Sequence, residues 1–281
     1  MDKTTTFAIV GLGLLGGSYA KGLKEAGYPV IGIARRKETI NYALQHHYID
    51  EGSTNPKLIE KADIVILCLY PSIMIEWIKE NKEYLKDGAL ISDISGVKAS
   101  VVEPIQEILK DTNNEFISTH PMAGKESSGI EYANTEMFLN ANFIIVPSNK
   151  NTQEAIDTMW EVAKLLKFHH ISILSIQEHD QMIGFLSQLT HVIAVSLMNT
   201  HENEKLVDYT GDSFRDLTRI AKINEHMWSE LFLFNKNILL EEITAFQASL
   251  QNFKETLESE DTNKMKELFI QSTNRRKKFD K

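Results

Sequence analysis

The stretch FAIVGLGLLGGS, residues 7–18, constrains the fold of this chain more than any other. Its first four residues form a short, unbroken apolar run, which is typical of a strand buried on both faces. Gly11, Gly13 and Gly16 then follow in G-x-G-x-x-G spacing, and a helical pattern comes after them. The first glycine allows a tight turn, the second lets a phosphate approach the backbone, and the third lets the helix and strand pack closely. A strand, a glycine loop and a helix in this order predict a dinucleotide-binding unit.

Loops that follow the predicted strands supply the other residues expected at the dinucleotide. Ligands of doubly wound sheets lie at the carboxyl ends of parallel strands. Pro71 cannot continue a central strand, so the chain around it is expected to be such a loop. The predicted cofactor-binding residues are Gly11, Leu12, Gly13, Leu14, Leu15, Gly16, Ala34, Arg35, Arg36, Leu69, Tyr70, Pro71 and Ser95.

The end of the second predicted strand, residues 29–34, indicates which dinucleotide is bound. A unit that binds NAD usually places Asp or Glu there to hold the ribose 2′-hydroxyl. This chain has Ala34 followed by Arg35 and Arg36, which could pair with a 2′-phosphate. The pattern favours NADP over NAD. In the alternative interpretation, the arginines are solvated charges at a helix start and backbone contacts hold NAD.

The pattern of the chain changes at about residue 174. Strands alternate with helices before it, and helical periodicity without strand signals follows it, including one long helix predicted over 177–201. We therefore predict an α/β fold: a Rossmann-like, doubly wound parallel sheet over 1–174, then an all-helical substrate and dimerisation domain over 175–281. Apolar residues crowd the segment 231–240, which predicts a homodimer through the C-terminal helices.

Composition argues against several classes of partner. The net charge of −9 disfavours a nucleic-acid surface. No unbroken apolar run approaches the roughly 20 residues that span a bilayer, and the N-terminus does not resemble a signal peptide. The single cysteine, Cys68, lies in an apolar run, which fits a reducing, cytoplasmic location. The adjacent histidine pairs point their rings apart, so no metal site is expected.

Two polar residues follow predicted strands and could carry chemistry. His120 lies just past a strand end, where a neutral imidazole could accept the proton of a hydroxyl whose carbon gives up hydride. Alternatively, it only caps a turn. Ser95 could orient His120 through a hydrogen bond, or it could cap the helix that follows. Position alone leaves both questions open.

Two further pairs share a helix face because of their i, i+4 spacing. Ser187 and His191 form either a satisfied core pair or a polar patch at a substrate cleft. Of Arg215 and Arg219, one could hold a substrate carboxylate through two hydrogen bonds. Either could equally pair with a neighbouring aspartate on the surface.

Five motifs together resemble the prephenate and arogenate dehydrogenases of tyrosine biosynthesis, across nearly the whole chain. HPMAGKESSG and FRDLTRIA are specific to that family, whereas the glycine loop is not. The motifs are GLGLLGGS at 11–18, DISGVK at 93–98, HPMAGKESSG at 120–129, the Ser187–His191 pair and FRDLTRIAKINEHMW at 214–228. Compared with many relatives, Asp212, Ser213, Gln188 and Thr190 are departures from the pattern.

The resemblance implies roles for individual residues. His120 would be the catalytic histidine that hydrogen-bonds the ring 4-hydroxyl, Ser95 would position it, and Arg219 would bind a substrate carboxylate. The other residues implied at the substrate pocket are Ser187, His191, Glu126 and Trp228.

The implied activity is NAD(P)-dependent oxidative decarboxylation of prephenate to 4-hydroxyphenylpyruvate. One alternative is an arogenate dehydrogenase that makes tyrosine directly, and another is a non-catalytic NAD(P)-binding redox sensor. A third is a β-hydroxy acid dehydrogenase of the same two-domain plan. Such enzymes usually rely on a lysine in the first helix of the helical domain, and residues 177–198 contain none.

Overall fold

The computed structural model describes residues 1–124 and 127–280, and an eight-stranded sheet organises it. The strands are β1 (Phe7–Val10), β2 (Val30–Ile33), β3 (Glu51–Ser53), β4 (Ile64–Leu67), β5 (Leu90–Asp93), β6 (Glu115–Pro121), β7 (Asn142–Val146) and β8 (His170–Ile173). Their order is β3-β2-β1-β4-β5-β6-β7-β8. The first six strands thus have the doubly wound order, in which the strand sequence reverses direction beside β1.

One strand pair departs from the predicted parallel sheet. β7 runs antiparallel to β6, with His120 opposite Ile144, while the other neighbouring pairs are parallel. A parallel return needs a crossover of a dozen or more residues, usually a helix. The described residues between β6 and β7 form only two short 3₁₀ turns, Ile130–Tyr132 and Thr135–Phe138. Without a crossover helix, β7 enters the sheet in the opposite direction.

Five helices cover the two faces of the sheet. They are α1 (Leu14–Glu25), α2 (Lys37–Gln45), α3 (Pro71–Asn81), α4 (Ala99–Ile108) and α5 (Gln153–Leu165). Apolar residues of α1, α2 and α5 form one buried core with the sheet, and those of α3 and α4 form a second. The predicted Rossmann-like arrangement is therefore confirmed, with helices on both faces.

Helices alone follow β8. They are α6 (Ile176–Ile183), α7 (Thr190–Met198), α8 (Asp212–Thr218), α9 (Glu225–Phe234), α10 (Lys236–Glu258) and α11 (Thr262–Arg276). A π-helical segment, Gly184–Leu189, joins α6 to α7, so the long helix predicted over 177–201 has a different winding at its centre and ends at Met198. Within that segment, the Ser187 carbonyl accepts from the Thr190 hydroxyl at 2.6 Å and lies 2.8 Å from His191 Nδ1. Side chains thus hydrogen-bond to the Ser187 backbone carbonyl in the segment where the α-helical pattern is interrupted.

The helical run 176–198 is long and apolar enough to cross a membrane by length and composition alone. No such run was expected from the sequence, because that expectation considered only unbroken apolar stretches. The run also contains buried polar side chains that bond to other segments. Asp180 accepts from the backbone N–H groups at the start of α4, and Gln188 accepts from Asn235 Nδ2 at 2.8 Å. These bonds connect the run to α4 and to Asn235 of the same protein.

The chain forms two compact units, 1–235 and 236–281. In the second unit, α10 and α11 bring the rings of Phe253 and Phe269 to 6.2 Å, and Asp261 caps α11. Many large apolar side chains of this unit are exposed: Leu240, Phe246, Leu250, Phe253, Leu257, Phe269, Ile270 and Phe279. The domain boundary expected at 174/175 marks a change of sequence pattern, and it stays a prediction.

Candidate active site

The glycine loop between β1 and α1 has the shape that a dinucleotide pyrophosphate needs. Gly11 has a φ of +96°, and a Cβ there would lie 2.4 Å from the Cys68 carbonyl oxygen. A Cβ at Gly16 would lie 1.9 Å from the Gly11 carbonyl oxygen, so helix and strand pack too closely for a side chain. At Gly13 a Cβ would meet none of the described atoms within 4 Å, and no side chain caps the helix start. The space beside Gly13 at the start of α1 is therefore open among the described atoms, and a helix start is where an anion can bind.

The segment after β2 is open to solvent at the positions that decide cofactor choice. Ala34 is half-buried, whereas Arg35 and Arg36 are exposed immediately before α2 begins at Lys37. Both guanidinium groups can therefore reach a ligand without a cost of burial. No carboxylate stands at residues 34–36 to repel a phosphate.

The loop after β4 is where helix α9 meets the sheet. Pro71 was expected in a loop but is the first residue of α3, a position that suits a residue without an N–H to donate. Tyr70 is partly exposed, and its hydroxyl lies 3.5 Å from Asn224 Nδ2. Glu230 of α9 accepts from the backbone N–H of Ser72 at 2.5 Å. These contacts hold α9 at the carboxyl end of β4.

A buried ion pair lies after β5, at the same edge of the sheet. Lys98 and Asp93 are fully buried, and Lys98 Nζ lies 3.1 Å from Asp93 Oδ2 and 2.7 Å from the Thr119 carbonyl oxygen. Asp93 also accepts from Ser118 Oγ at 2.5 Å and from the Thr119 N–H at 3.1 Å. Burial lowers the pKa of Lys98, and the nearby Asp93 opposes that effect.

Ser95 lies beside this ion pair. Its hydroxyl is hydrogen-bonded to Asp93, lies 2.8 Å from the Val97 carbonyl oxygen and lies 3.3 Å from Lys98 Nζ. The contacts described for Ser95 are therefore with the ion pair and its turn, rather than with His120. Whether Ser95 positions His120 during the reaction stays a prediction.

The alternative role for Ser95, as the cap of the following helix, is wrong. α4 begins at Ala99, and the residue at its N-cap makes no side-chain capping bond. Instead, Asp180 of α6 accepts from the N–H groups of Lys98 at 2.9 Å and Ala99 at 2.8 Å. A residue 82 positions away in sequence thus caps this helix.

His120, at the end of β6, is held by a second histidine. Its Nδ1 lies 2.9 Å from Nε2 of His179, and Nδ1 of His179 lies 2.8 Å from Asp180 Oδ1. The other ring nitrogen of His120, Nε2, lies 3.8 Å from where a Cβ at Gly96 would stand. Because residue 96 is glycine, it places no side chain against this nitrogen.

The surroundings of His120 keep it uncharged. Burial holds its pKa well below the ordinary histidine range, and the neighbouring His179 and Lys98 act in the same direction. Burial also lowers the pKa of His179, against the opposing effect of Asp180. At neutral pH both rings are therefore neutral, and a neutral imidazole is what a proton acceptor requires.

Helix α7 contributes a third histidine, His191, and helix α9 contributes its ring partner. His191 of α7 stacks on Trp228, with ring centroids 3.7 Å apart and planes 31° apart. One turn further along α9, Leu231 lies 3.7 Å from where a Cβ at Gly96 would stand. The predicted residues His191 and Trp228 thus contact each other, and Trp228 lies on the helix whose Leu231 reaches the turn beside His120. Ser187 contributes its backbone carbonyl to His191.

The two candidate arginines have different surroundings. Arg215 is exposed and donates to Asp212 Oδ1 at 2.8 Å, so the surface-pair interpretation is confirmed for it. Arg219 lies in the 3₁₀ turn Arg219–Ala221, which packs on α7, the helix of His191. Glu126 lies outside the described residues.

Three site residues were missed by sequence reasoning: Lys98, His179 and Asp180. Lys98 was interpreted only as part of a helix start, and the adjacent His179 and Asp180 fell within a helix recognised by its apolar positions. A usable signal was present in the second case. Two consecutive titratable residues near the start of an otherwise apolar helix need buried partners if both are buried.

Both parts of the chain match known protein families. Residues 19–172 match the family described as "Prephenate dehydrogenase, nucleotide-binding domain", and residues 175–271 match "Prephenate dehydrogenase, dimerization domain".

Individual relatives agree with these matches. The prephenate dehydrogenase of Lactococcus lactis subsp. cremoris is 32% identical over 271 residues, covering 93% of this chain and 73% of that one. The cyclohexadienyl dehydrogenase of Zymomonas mobilis is 27% identical over 277 residues, covering 94% and 92%. The crystal structure of Aquifex aeolicus prephenate dehydrogenase with hydroxyphenyl propionate and NAD+ is 29% identical, covers 98% of each chain and superposes with a TM-score of 0.90. The sequence motifs, the doubly wound sheet with its glycine loop and these matches agree: the chain belongs to the prephenate dehydrogenase family.

Proposed function

We propose that this protein catalyses the NAD(P)-dependent oxidative decarboxylation of prephenate to 4-hydroxyphenylpyruvate. The observation that carries the proposal is the position of His120, which bonds to His179 at the carboxyl edge of a sheet whose glycine loop fits a pyrophosphate. Burial there lowers the pKa of His120. In such an enzyme a base that is uncharged at neutral pH stands where a hydroxyl-bearing carbon gives up hydride.

In this proposal His120 first accepts a proton from the substrate and later returns it to the product. Its Nε2 accepts the proton of the 4-hydroxyl as hydride leaves the same carbon. NAD(P), when bound, supplies the hydride acceptor. The ring carboxylate then leaves as carbon dioxide, its bonding electrons make the ring aromatic, and His120 returns the proton to the phenolate oxygen. Because aromatisation drives the reaction, the protein mainly has to position the reacting groups.

The remaining predicted residues have binding roles in the proposal. The glycine loop, the segment Ala34–Arg36, the loop at Leu69–Pro71 and the turn at Ser95 surround the dinucleotide. Arg219 holds a substrate carboxylate. The residues proposed to line or gate the substrate pocket are Ser187, His191, Trp228 and Glu126.

A spectrophotometric assay tests the proposal directly. The purified protein is incubated with prephenate or arogenate and with NAD or NADP, and reduced nicotinamide is followed by absorbance. Formation of 4-hydroxyphenylpyruvate supports the proposal. Formation of tyrosine from arogenate alone would favour the second candidate, which the similarity to a cyclohexadienyl dehydrogenase keeps open. A protein that binds the dinucleotide but turns over neither substrate would be the redox sensor.

Replacing Arg219 with alanine is expected to raise KM for prephenate by tens of fold. A charge-assisted hydrogen bond of this type contributes about 1.5–3 kcal/mol, whereas KM for the dinucleotide should barely move. Steady-state kinetics with each substrate varied in turn measures the effect. Arg215→Ala is the matched control, because Arg215 has an exposed partner in Asp212. An unchanged prephenate KM in Arg219→Ala would remove Arg219 from substrate binding.

The cofactor preference is expected to be NADP over NAD by about tenfold or more, which corresponds to ~1.4 kcal/mol. The exposed Arg35 and Arg36 can pair with a 2′-phosphate, and Ala34 does not repel it. Because the phosphate would be near solvent, the preference should shrink as ionic strength rises. Ala34→Asp combined with Arg35→Asn should reverse it. A wild-type protein with the higher kcat/KM for NAD would contradict the assignment.

The apolar surface of the helical part is proposed to be covered by a second copy of the chain. The family match over residues 175–271 is to a dimerization domain. In the first unit, the candidates for that interface are Met182 of α6, Phe185 and Leu186 of the π-helical segment and Met198 of α7. In the second unit, they are Leu250 and Leu257 of α10 and Phe269 and Ile270 of α11. Light scattering at micromolar concentration should give twice the mass of the chain, and a monomer would contradict the proposal.

A further inference from the structure

Three side chains form a continuous hydrogen-bonded chain that ends at His120. Asp180 Oδ1 lies 2.8 Å from His179 Nδ1, and His179 Nε2 lies 2.9 Å from His120 Nδ1. Asp180 and His179 are almost completely buried. The bonds therefore form away from solvent, where each donor needs an acceptor.

The chemistry of Asp180 determines which atom donates in each bond. Asp180 Oδ1 already accepts from a backbone N–H, so His179 Nδ1 carries a hydrogen and donates it to this oxygen. A neutral imidazole has one N–H, which leaves His179 Nε2 as an acceptor. His120 Nδ1 must then carry the hydrogen in the 2.9 Å bond between the two rings. His120 Nε2, which lies 3.8 Å from where a Cβ at Gly96 would stand, is left with a lone pair.

Both oxygens of Asp180 are also held as acceptors by backbone donors. Its Oδ1 also accepts from the Lys98 N–H at 2.9 Å, and its Oδ2 accepts from the Ala99 N–H at 2.8 Å. Both N–H groups belong to the start of α4, where negative charge is favoured by the helix dipole. The bonds at the buried end therefore determine which nitrogen carries the hydrogen in His179 and in His120.

We infer that His179 is a positioning residue that holds His120 in the tautomer with Nδ1 protonated and Nε2 free to accept a proton. The inference rests on the proposed function, in which His120 Nε2 accepts the proton of the substrate hydroxyl. Without His179, either ring nitrogen of His120 could carry the hydrogen, and the tautomer with Nε2–H cannot accept. When His120 becomes charged, His179 and Asp180 also place an acceptor and a negative charge behind it.

The tautomer is measured first, on the full chain labelled with ¹⁵N-histidine and without substrate or dinucleotide. The resonances of His120 are assigned by their loss in His120→Asn. We expect the Nδ1 resonance at the position of a protonated ring nitrogen and the Nε2 resonance at that of an unprotonated one. The reverse pattern, or an average of the two, overturns the inference. This measurement is independent of the substrate, so a failure of the proposed function is seen separately, as absent turnover in wild type.

Two amide variants of His179 then separate its contact with His120 from its contact with Asp180. In His179→Gln, the amide oxygen can occupy the place of Nε2 and accept from His120. In His179→Asn, the shorter side chain can keep the bond to Asp180 but cannot reach His120. Both variants introduce one amide group at the same buried position, so they differ chiefly in that reach.

We expect His179→Asn to lower kcat about tenfold or more, with KM for prephenate little changed, and to mix the two tautomers of His120. His179→Gln should stay within a few fold of wild-type kcat and keep the Nδ1–H tautomer. Thermal unfolding shows whether each variant is folded. Equal kcat in wild type and a folded His179→Asn overturns the inference, as does an unchanged His120 tautomer in that variant. Should neither variant fold, the wild-type resonances alone decide the tautomer.

Discussion

Replacing His120 with asparagine is expected to lower kcat by about 10²- to 10⁴-fold, which is the usual contribution of a positioned general base. Asparagine preserves polarity at the end of β6 but cannot take a proton at neutral pH. KM for prephenate should change much less, because the proposed carboxylate contact is made by Arg219. Steady-state kinetics at saturating dinucleotide measures both parameters.

His169→Asn serves as the control for this experiment. His169 is exposed and precedes β8, and it has no role in the proposed reaction. The same chemical change there should leave kcat unaltered. Near-normal turnover in a folded His120→Asn variant would exclude His120 as the proton acceptor, and the proposed mechanism would then lack its base.

Replacing Lys98 with methionine is expected to lower the free energy of unfolding by about 3–5 kcal/mol, because the variant leaves Asp93 buried without its ionic partner. Methionine fills much of the same volume, so the loss reflects charge rather than a cavity. Urea unfolding monitored by circular dichroism, at a fixed protomer concentration, measures the change.

Two further variants isolate the cause of that loss. In Lys98→Met combined with Asp93→Asn, the uncompensated carboxylate is absent, so part of the stability should return. Lys110→Met removes an exposed lysine that pairs with Glu107, and its effect should be much smaller. A Lys98→Met variant as stable as Lys110→Met would show that the buried pair contributes little beyond its other hydrogen bonds.

Local pattern was sufficient for the dinucleotide-binding part of the fold. The spacing of Gly11, Gly13 and Gly16 indicated a strand, a turn and a helix. Gly11 and Gly16 answer short-range steric requirements, and Gly13 leaves room for a phosphate to approach the backbone. Periodicity likewise separated the α/β part from the helical part. Position at strand ends selected His120 and Ser95 as candidates, although the family resemblance was needed to choose between a role in catalysis and a role in a turn.

Tertiary structure alone decided how His120 is held. His179 is 59 residues away in sequence, and Lys98 and Asp180 are 82 residues apart, so no local pattern relates them. The direction of β7 was also decided at this level, by a connection whose described residues, 122–124 and 127–141, contain no crossover helix. Hydrophobic periodicity reports which face of a segment is buried, but a buried polar group is stabilised by its particular partner. That partner is chosen by packing between distant segments, which is why the sequence identified the histidine and the fold determined its chemistry.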